Sequence, residues 1–103
     1  MVTKPTYRAP RLRVMRVGIM GLGYVGLPLV VAFAEQGHDV VGVDVDARKV
    51  EALSRGESYI EDIDSGRLQA VAPRLEVTTR SSNLSRCDAL LVCVPTPPLT
   101  PNH

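Results

Sequence analysis

The chain has 103 residues, of which twelve are basic and eleven acidic, so its formal net charge is +1. This length supports one domain with a modest core and is short for a whole enzyme that binds two substrates. The balanced charge favours neither nucleic acid nor a membrane surface as a partner, and no apolar run approaches the roughly 20 residues that cross a bilayer. We therefore expect a cytoplasmic protein that binds no nucleic acid and no membrane.

The first segment, residues 1–15, carries four basic residues and no acid. Pro5 and Pro10 would interrupt the amphipathic helix of a transit peptide, and the segment lacks the apolar centre of a secretory signal. A phosphate-binding arm is the functional alternative. We interpret the segment as a solvated, disordered leader.

The apolar run 17–20 is bounded by turn signals, which predicts a strand buried on both faces. Residues 24–36 form a nearly all-apolar helical stretch, and Gly37 occupies the position that favours a left-handed cap. Pro28 lies one turn inside this predicted helix and is expected to cost one backbone hydrogen bond. His38 is interpreted as a helix-terminal cation rather than a metal ligand.

A second strand is predicted over residues 39–44, and it ends in Asp44. Asp46 is expected to cap a helix over residues 47–54, which Gly56 stops. The strand is predicted from its apolar residues, and the helix from the residues that would begin and end it.

The second half of the chain contains a short predicted helix at 66–72, a strand at 75–79 near a sheet edge, and a polar turn or helix at 81–86. The continuous apolar run 89–94 is typical of a central parallel strand. Connections of this length imply parallel pairing with right-handed crossovers. The expected fold class is α/β, a Rossmann-like doubly wound parallel sheet that is incomplete, with about four strands.

A glycine pattern, G-x-G-x-x-G, follows the first predicted strand and consists of Gly21, Gly23 and Gly26. Gly21 would allow a sharp turn, Gly23 would let the backbone approach a pyrophosphate, and Gly26 would let the helix pack closely on the strand. The pyrophosphate would meet unpaired amides and the positive end of the helix dipole. Together with Asp44 after the second strand, this is the full context of dinucleotide binding.

Asp44 can accept hydrogen bonds from the ribose hydroxyls, and its charge would repel a 2′-phosphate, which favours NAD over NADP. The alternative is that the glycines serve only a strand-to-helix turn and that Asp44 only caps the next segment of the chain. Because strand, helix and acid are in register, cofactor binding is the better interpretation. Arg48 and Lys49 complicate the NAD preference, since either cation could receive a 2′-phosphate. For Arg48 we favour a solvated helix face.

Three segments resemble a known family: GLGYVGLPLVVAFAEQGHDVVGVDVDARKV, GESYIEDI and DALLVCVPTP. Over residues 16–98 they are similar to the amino-terminal domain of the UDP-glucose/GDP-mannose dehydrogenase family. GYVGLPL and CVPTP look most like the branch that acts on UDP-N-acetylated hexosamines. The resemblance implies oxidation of the C6 alcohol of a nucleotide sugar to a carboxylate, with two NAD and a thiohemiacetal on a cysteine. It also implies NAD contacts at the loop amides around Tyr24 and Val25, and at Asp44, Lys49 and Thr96.

The family's catalytic residues lie in segments that this sequence does not contain, and Cys87 and Cys93 do not match its nucleophile. Both are interpreted as buried free thiols, and no metal site is proposed. Pro98 stands where the family usually has leucine, which is a departure in the local loop. The expected organisation is a leader at 1–15, the amino-terminal part of an NAD-binding domain at 16–98, and a truncated tail at 99–103.

Three function hypotheses stay open. The preferred one is the NAD-binding portion of a nucleotide-sugar 6-dehydrogenase, inactive alone, with a UDP-sugar as a partner only in a full-length form. The second is a free-standing NAD-binding module without catalysis. The third is an S-adenosylmethionine-binding fold, against which the VPTP segment and the close glycine spacing argue. We also expect self-association through the apolar run 89–94, because an uncovered strand edge is a template for pairing.

Overall fold

The computed structural model describes residues 14–93, and the predictions for residues 1–13 and 94–103 lie outside this range. The described strands are β1 (Arg16–Met20), β2 (Asp39–Val43), β3 (Leu75–Thr78) and β4 (Ala89–Val92). The α-helices are α1 (Gly26–Glu35), α2 (Ala47–Ser54) and α3 (Ser65–Val71). Two 3-10 helices, Ala72–Arg74 and Ser81–Arg86, flank β3.

The four strands form one parallel sheet in the order β3-β2-β1-β4. Val17 of β1 lies opposite Val40 of β2 on one side and Ala89 of β4 on the other. The chain therefore winds outward from β1 to β3 and then crosses back to the far side of β1. This confirms the Rossmann-like α/β prediction, and it creates a switch point at the carboxyl ends of β1 and β4. The segment predicted near an edge, β3, is an edge strand. The run 89–94 was expected to be a central strand, but within residues 14–93 β4 forms the other edge of the sheet and pairs with β1 alone.

The core lies between the three α-helices and one face of the sheet. Val17 and Ile19 of β1 pack there against Leu27, Val30 and Val31 of α1, and none of these side chains is more than 2% exposed. The second crossover completes the same cluster with Leu53, Ile60, Ile63, Leu68 and Val71. Since all these residues share one face, the sheet and the helices bury each other.

The opposite face of the sheet is crossed by the 3-10 helix Ser81–Arg86. A Cβ placed on Gly18 of β1 would lie 2.7 Å from Leu84 Cδ2 and 3.0 Å from Cys87 Sγ. The connection to β4 therefore runs directly over β1, and a side chain at position 18 would have to displace Leu84 and Cys87. Within residues 14–93, no helix has the length and apolar character needed to span a membrane.

Helix α1 begins at Gly26, two residues later than predicted. Tyr24 and Val25 form a turn that leads into it. Pro28 therefore lies in the first turn, and the amides on either side of it, those of Leu27 and Leu29, donate to the carbonyls of Gly23 and Val25 at 3.0 and 3.4 Å. The matching bond from residue 28 to the carbonyl of Tyr24 is absent because proline has no N–H, which agrees with the expected loss of one backbone hydrogen bond.

The end of α1 agrees with the predicted cap. Gly37 has φ +97°, and the amides of Gly37 and His38 donate to the carbonyls of Ala34 and Phe33 at 3.0 and 3.1 Å, a Schellman motif. The interpretation of His38 as a cation was wrong. Its Nδ1 accepts a hydrogen bond from the amide of Met15 at 3.1 Å, and a ring nitrogen that accepts carries no proton.

The caps of the two shorter helices are aspartates. Asp46 accepts a hydrogen bond from the amide of Arg48 at 2.9 Å, as predicted for the start of α2. Asp64 accepts one from the amide of Arg67 at 2.8 Å at the start of α3. Gly56, with φ +77°, follows α2. The predicted helices and strands all exist in the described range, with ends shifted by one or two residues.

Truncating Ile19 tests the location of the core. Ile19 is fully buried in β1, so Ile19→Ala is expected to lower the free energy of unfolding by between about 2 and 5 kcal/mol, the cost of a core cavity. Val45→Ala is the control, because Val45 is 94% exposed and should change stability by less than about 0.5 kcal/mol. Urea denaturation followed by circular dichroism measures both, and equal losses would contradict this core.

Candidate functional site

The glycine loop joins β1 to α1 at the carboxyl edge of the sheet. Gly21 has φ +101°, a left-handed conformation that favours glycine. Its amide donates to the carbonyl of Val43 in β2 at 2.8 Å. A Cβ on Gly26 would overlap the carbonyl oxygen of Gly21, whereas a Cβ on Gly23 would meet nothing within 4 Å. The fold thus requires Gly21 and Gly26, while the space beside Gly23 is open to a ligand.

The loop presents unpaired amides in front of α1. The N–H groups of Gly23, Tyr24 and Val25 donate no hydrogen bond to any group within residues 14–93. Tyr24 and Val25 are 83% and 62% exposed and do not enter the core. Leu22 before them and Leu27 after them are fully buried. Free N–H groups at the positive end of a helix are suited to an anionic pyrophosphate.

Asp44 directly follows β2 and reaches the glycine loop. Its Oδ2 accepts a hydrogen bond from the amide of Leu22 at 2.9 Å, and its Oδ1 accepts one from the amide of Asp46 at 2.8 Å. The side chain is only 11% exposed. Because each carboxylate oxygen has a second lone pair, Asp44 can still accept hydrogen bonds from a ribose. The structure therefore brings the predicted acid and the predicted loop together.

The two cations of α2 occupy different environments. Lys49 Nζ lies 4.0 Å from Asp44 Oδ2 and 5.9 Å from the centre of the Tyr59 ring. Arg48 pairs with Asp46 at 3.4 Å, and its side chain is 90% exposed. Lys49 thus lies beside Asp44, and Arg48 lies on the solvated face favoured for it from the sequence.

Tyr59 belongs to the same cluster but was not among the predicted site residues. Its hydroxyl donates a hydrogen bond to the carbonyl of Leu22 at 2.6 Å. Burial, and then the charges of Asp44 and Asp46, raise the pKa of Tyr59 above its ordinary value, so the hydroxyl keeps the proton that it donates. Tyr59 lies in a segment without clear periodicity, so no local signal connects it to the loop.

The far side of the loop is bordered by the end of β4. Cys93 follows β4, donates its amide to the carbonyl of Met20 at 2.7 Å and packs against the core cluster. Cys87 and Cys93 are both free thiols, but they are partly buried rather than buried as expected. Thr96, expected to contact NAD, lies outside the described residues, as does Pro98. No three His, Cys, Asp or Glu side chains of the described range are grouped so that they could hold a metal ion.

A parallel sheet, a glycine loop with open amides and an acid in contact with that loop define a dinucleotide-binding domain of the Rossmann type. The family model described as "UDP-glucose/GDP-mannose dehydrogenase family, NAD binding domain" matches residues 15–103. The chain therefore belongs to the UDP-glucose/GDP-mannose dehydrogenase family, and its cofactor is NAD. The resemblance seen in the sequence is confirmed.

Individual relatives agree with this family. UDP-N-acetyl-D-mannosamine dehydrogenase from Pyrococcus horikoshii is 38% identical over 87 residues, which covers 81% of this chain and 21% of that protein. An uncharacterised protein from Methanocaldococcus jannaschii is 41% identical over 85 residues, which covers 81% of this chain and 10% of that protein. The chain thus spans about a tenth to a fifth of the length of these relatives.

A solved structure extends the agreement to the fold. GDP-mannose dehydrogenase from Pseudomonas aeruginosa, determined as a ternary complex, superposes with a TM-score of 0.78 at 34% identity. The match covers 86% of this chain and 21% of that one. The similarity in fold therefore extends over most of this chain.

Two glycine substitutions should separate cofactor binding from folding. Gly23→Ala adds a methyl group in open space without positive φ, so we expect unchanged stability but an NAD dissociation constant raised about tenfold, because the methyl group blocks the approach of the pyrophosphate. Gly26→Ala places its methyl group against the Gly21 carbonyl and should lower the free energy of unfolding by about 2 kcal/mol or more. Calorimetric titration and urea denaturation measure the two effects. The assignment fails if Gly23→Ala binds NAD as tightly as the wild-type chain.

Proposed function

We propose that this chain is the NAD-binding part of a nucleotide-sugar 6-dehydrogenase, which oxidises the C6 alcohol of a UDP-sugar to a carboxylate. The observation that carries the proposal is the contact between Asp44 and the amide of Leu22. It joins an acid suited to a ribose with amides suited to a pyrophosphate. The relatives named UDP-N-acetyl-D-mannosamine dehydrogenase support a UDP-N-acetylated hexosamine as the substrate class.

In this proposal each part of the cluster has one task. The amides around Tyr24 and Val25 bind the pyrophosphate over the open space at Gly23, and Asp44 accepts hydrogen bonds from the adenosine ribose. Lys49 lies beside Asp44 and contributes a cation at the same end of the cofactor. Thr96 completes the set by family resemblance. NAD supplies the hydride acceptor, and the residues of this chain bind and orient it.

We further propose that the 103 residues bind NAD without turning over a sugar nucleotide. Burial raises the pKa of the Cys87 thiol, with smaller effects from neighbouring charges. A catalytic thiol needs the opposite shift, because the thiolate is the nucleophile. The side chain of Cys93 packs against the core. The cytoplasmic location and the division into residues 1–15, 16–98 and 99–103 stay predictions.

Competitive titration tests the function directly. The 103-residue chain should bind NAD, and an excess of S-adenosylmethionine should not displace it, because the Asp44 and loop arrangement is assigned to a dinucleotide. In a second assay with NAD and a UDP-N-acetylhexosamine, absorbance at the wavelength of NADH should stay flat. Displacement by S-adenosylmethionine would contradict the cofactor assignment. NADH formation would contradict the proposal that the chain is inactive alone.

We also propose that the chain self-associates through β4 with a second copy of itself. Within the described range, β4 is an edge strand that pairs only with β1. Leu90 and Val92 on one of its faces are 53% and 61% exposed. An apolar edge of this kind is a template for strand pairing.

Sedimentation velocity over a concentration series tests this association. The wild-type chain should show a sedimentation coefficient that rises with concentration. The double substitution Leu90→Lys and Val92→Lys should remove that rise, because charges on an edge strand oppose pairing. Val14→Lys is the matched control, since Val14 is 62% exposed but lies outside β4. A wild-type chain that stays monomeric at the highest concentration would contradict the proposal.

A further inference from the structure

The backbone at Leu22 is held from two sides. Its amide donates to Asp44 Oδ2 at 2.9 Å, and its carbonyl accepts a hydrogen bond from the Tyr59 hydroxyl at 2.6 Å. Its side chain is fully buried and packs over Gly42, where an added Cβ would lie 3.0 Å from Leu22 Cδ2. The residue in front of the open part of the loop is therefore fixed at three points.

The carbonyl of Leu22 and the amide of Gly23 belong to the same peptide group. A trans peptide is planar, so its oxygen and its N–H point in opposite directions. When Tyr59 holds the oxygen on its own side, the N–H of Gly23 must point away from Tyr59. Within residues 14–93 that N–H has no acceptor, and it borders the open space at Gly23.

The segment that carries Tyr59 is itself fixed, so its hydroxyl can serve as an anchor. The amide of Ser58 donates to Ser65 Oγ at 3.0 Å, and the Ser58 hydroxyl donates to the carbonyl of Ile60 at 3.1 Å. Ile60 and Ile63 are buried in the core cluster, at 5% and 3% exposure. The Tyr59 ring packs against the same cluster.

From these contacts we propose that Tyr59 is a positioning residue for the pyrophosphate-binding loop: through the Leu22 carbonyl, its hydroxyl aims the Gly23 amide at the cofactor. This inference rests on the proposed NAD site and adds to it a residue of the second crossover. Lys49 lies near both anchors, 4.0 Å from Asp44 Oδ2 and 5.9 Å from the Tyr59 ring centre.

The test is Tyr59→Phe in the 103-residue chain, which keeps the ring and removes only the hydroxyl. We expect the NAD dissociation constant to rise about tenfold, because a neutral hydrogen bond that orders the loop is lost. ADP-ribose, which also contains a pyrophosphate, should lose affinity by the same factor. Adenosine, which reaches Asp44 but has no pyrophosphate, should bind Tyr59→Phe and wild type alike. General softening of the fold would weaken all three ligands equally and would overturn the proposal.

Arg74→Met is the matched control. Arg74 also donates a side-chain hydrogen bond to a backbone carbonyl, that of Gly37 at 2.9 Å. This contact lies at the amino-terminal ends of the strands, whereas the candidate site lies at their carboxyl-terminal ends. Its removal should leave the affinity for NAD, ADP-ribose and adenosine unchanged. If Arg74→Met weakens NAD binding as much as Tyr59→Phe does, the positioning role is refuted.

A measurement without ligand separates this inference from the proposed function. In the NMR spectrum of the free chain, Tyr59→Phe should shift the Leu22 carbonyl carbon and the Gly23 amide nitrogen, and Arg74→Met should not. In the wild-type chain, slow exchange of the Tyr59 hydroxyl proton gives the same information without a variant. If the wild-type chain fails to bind NAD, the proposed function falls. Unshifted signals at Leu22 and Gly23, or a rapidly exchanging hydroxyl, would refute the role of Tyr59 in either case.

Discussion

The close contact between Gly26 and the carbonyl of Gly21 is the constraint on which the rest of the structure depends. Any side chain at Gly26 would overlap that oxygen, so only glycine lets α1 begin directly against the end of β1. From this start, Leu27, Val30 and Val31 enter the core and are fully buried. The same start leaves the preceding amides facing away from the core. Both the packing of α1 in the core and the exposure of the loop amides therefore depend on the close contact between the backbones at Gly21 and Gly26.

The second feature of the site is that its backbone is ordered by the protein before a ligand arrives. Asp44 and Tyr59 bind the amide and the carbonyl of Leu22, and together they satisfy both polar groups of a residue whose side chain is in the core. An ordered loop loses less conformational entropy when it binds a ligand. Asp44 thus has a structural task in the free chain as well as its proposed contact with the ribose.

Much of this description was available from the sequence, because it depends on neighbours along the chain. Alternation and apolar runs predicted the four strands and three α-helices. Gly37 and Asp46 marked a helix end and a helix start through local hydrogen bonds. The lengths of the connections predicted the parallel sheet, and the glycine pattern with Asp44 predicted the class of ligand.

The contacts decided only by the tertiary structure join residues far apart in sequence. Tyr59 reaches Leu22 across 37 positions, and His38 accepts from Met15 across 23, distances over which periodicity carries no information. Lys49 and Arg48 are adjacent and alike, yet only Lys49 lies beside Asp44, because the packing of α2 fixes its rotation. The sequence by itself thus determined the elements and the chemistry of the loop. The tertiary structure decided which distant side chains hold that loop, since hydrogen-bond partners are selected by proximity in space.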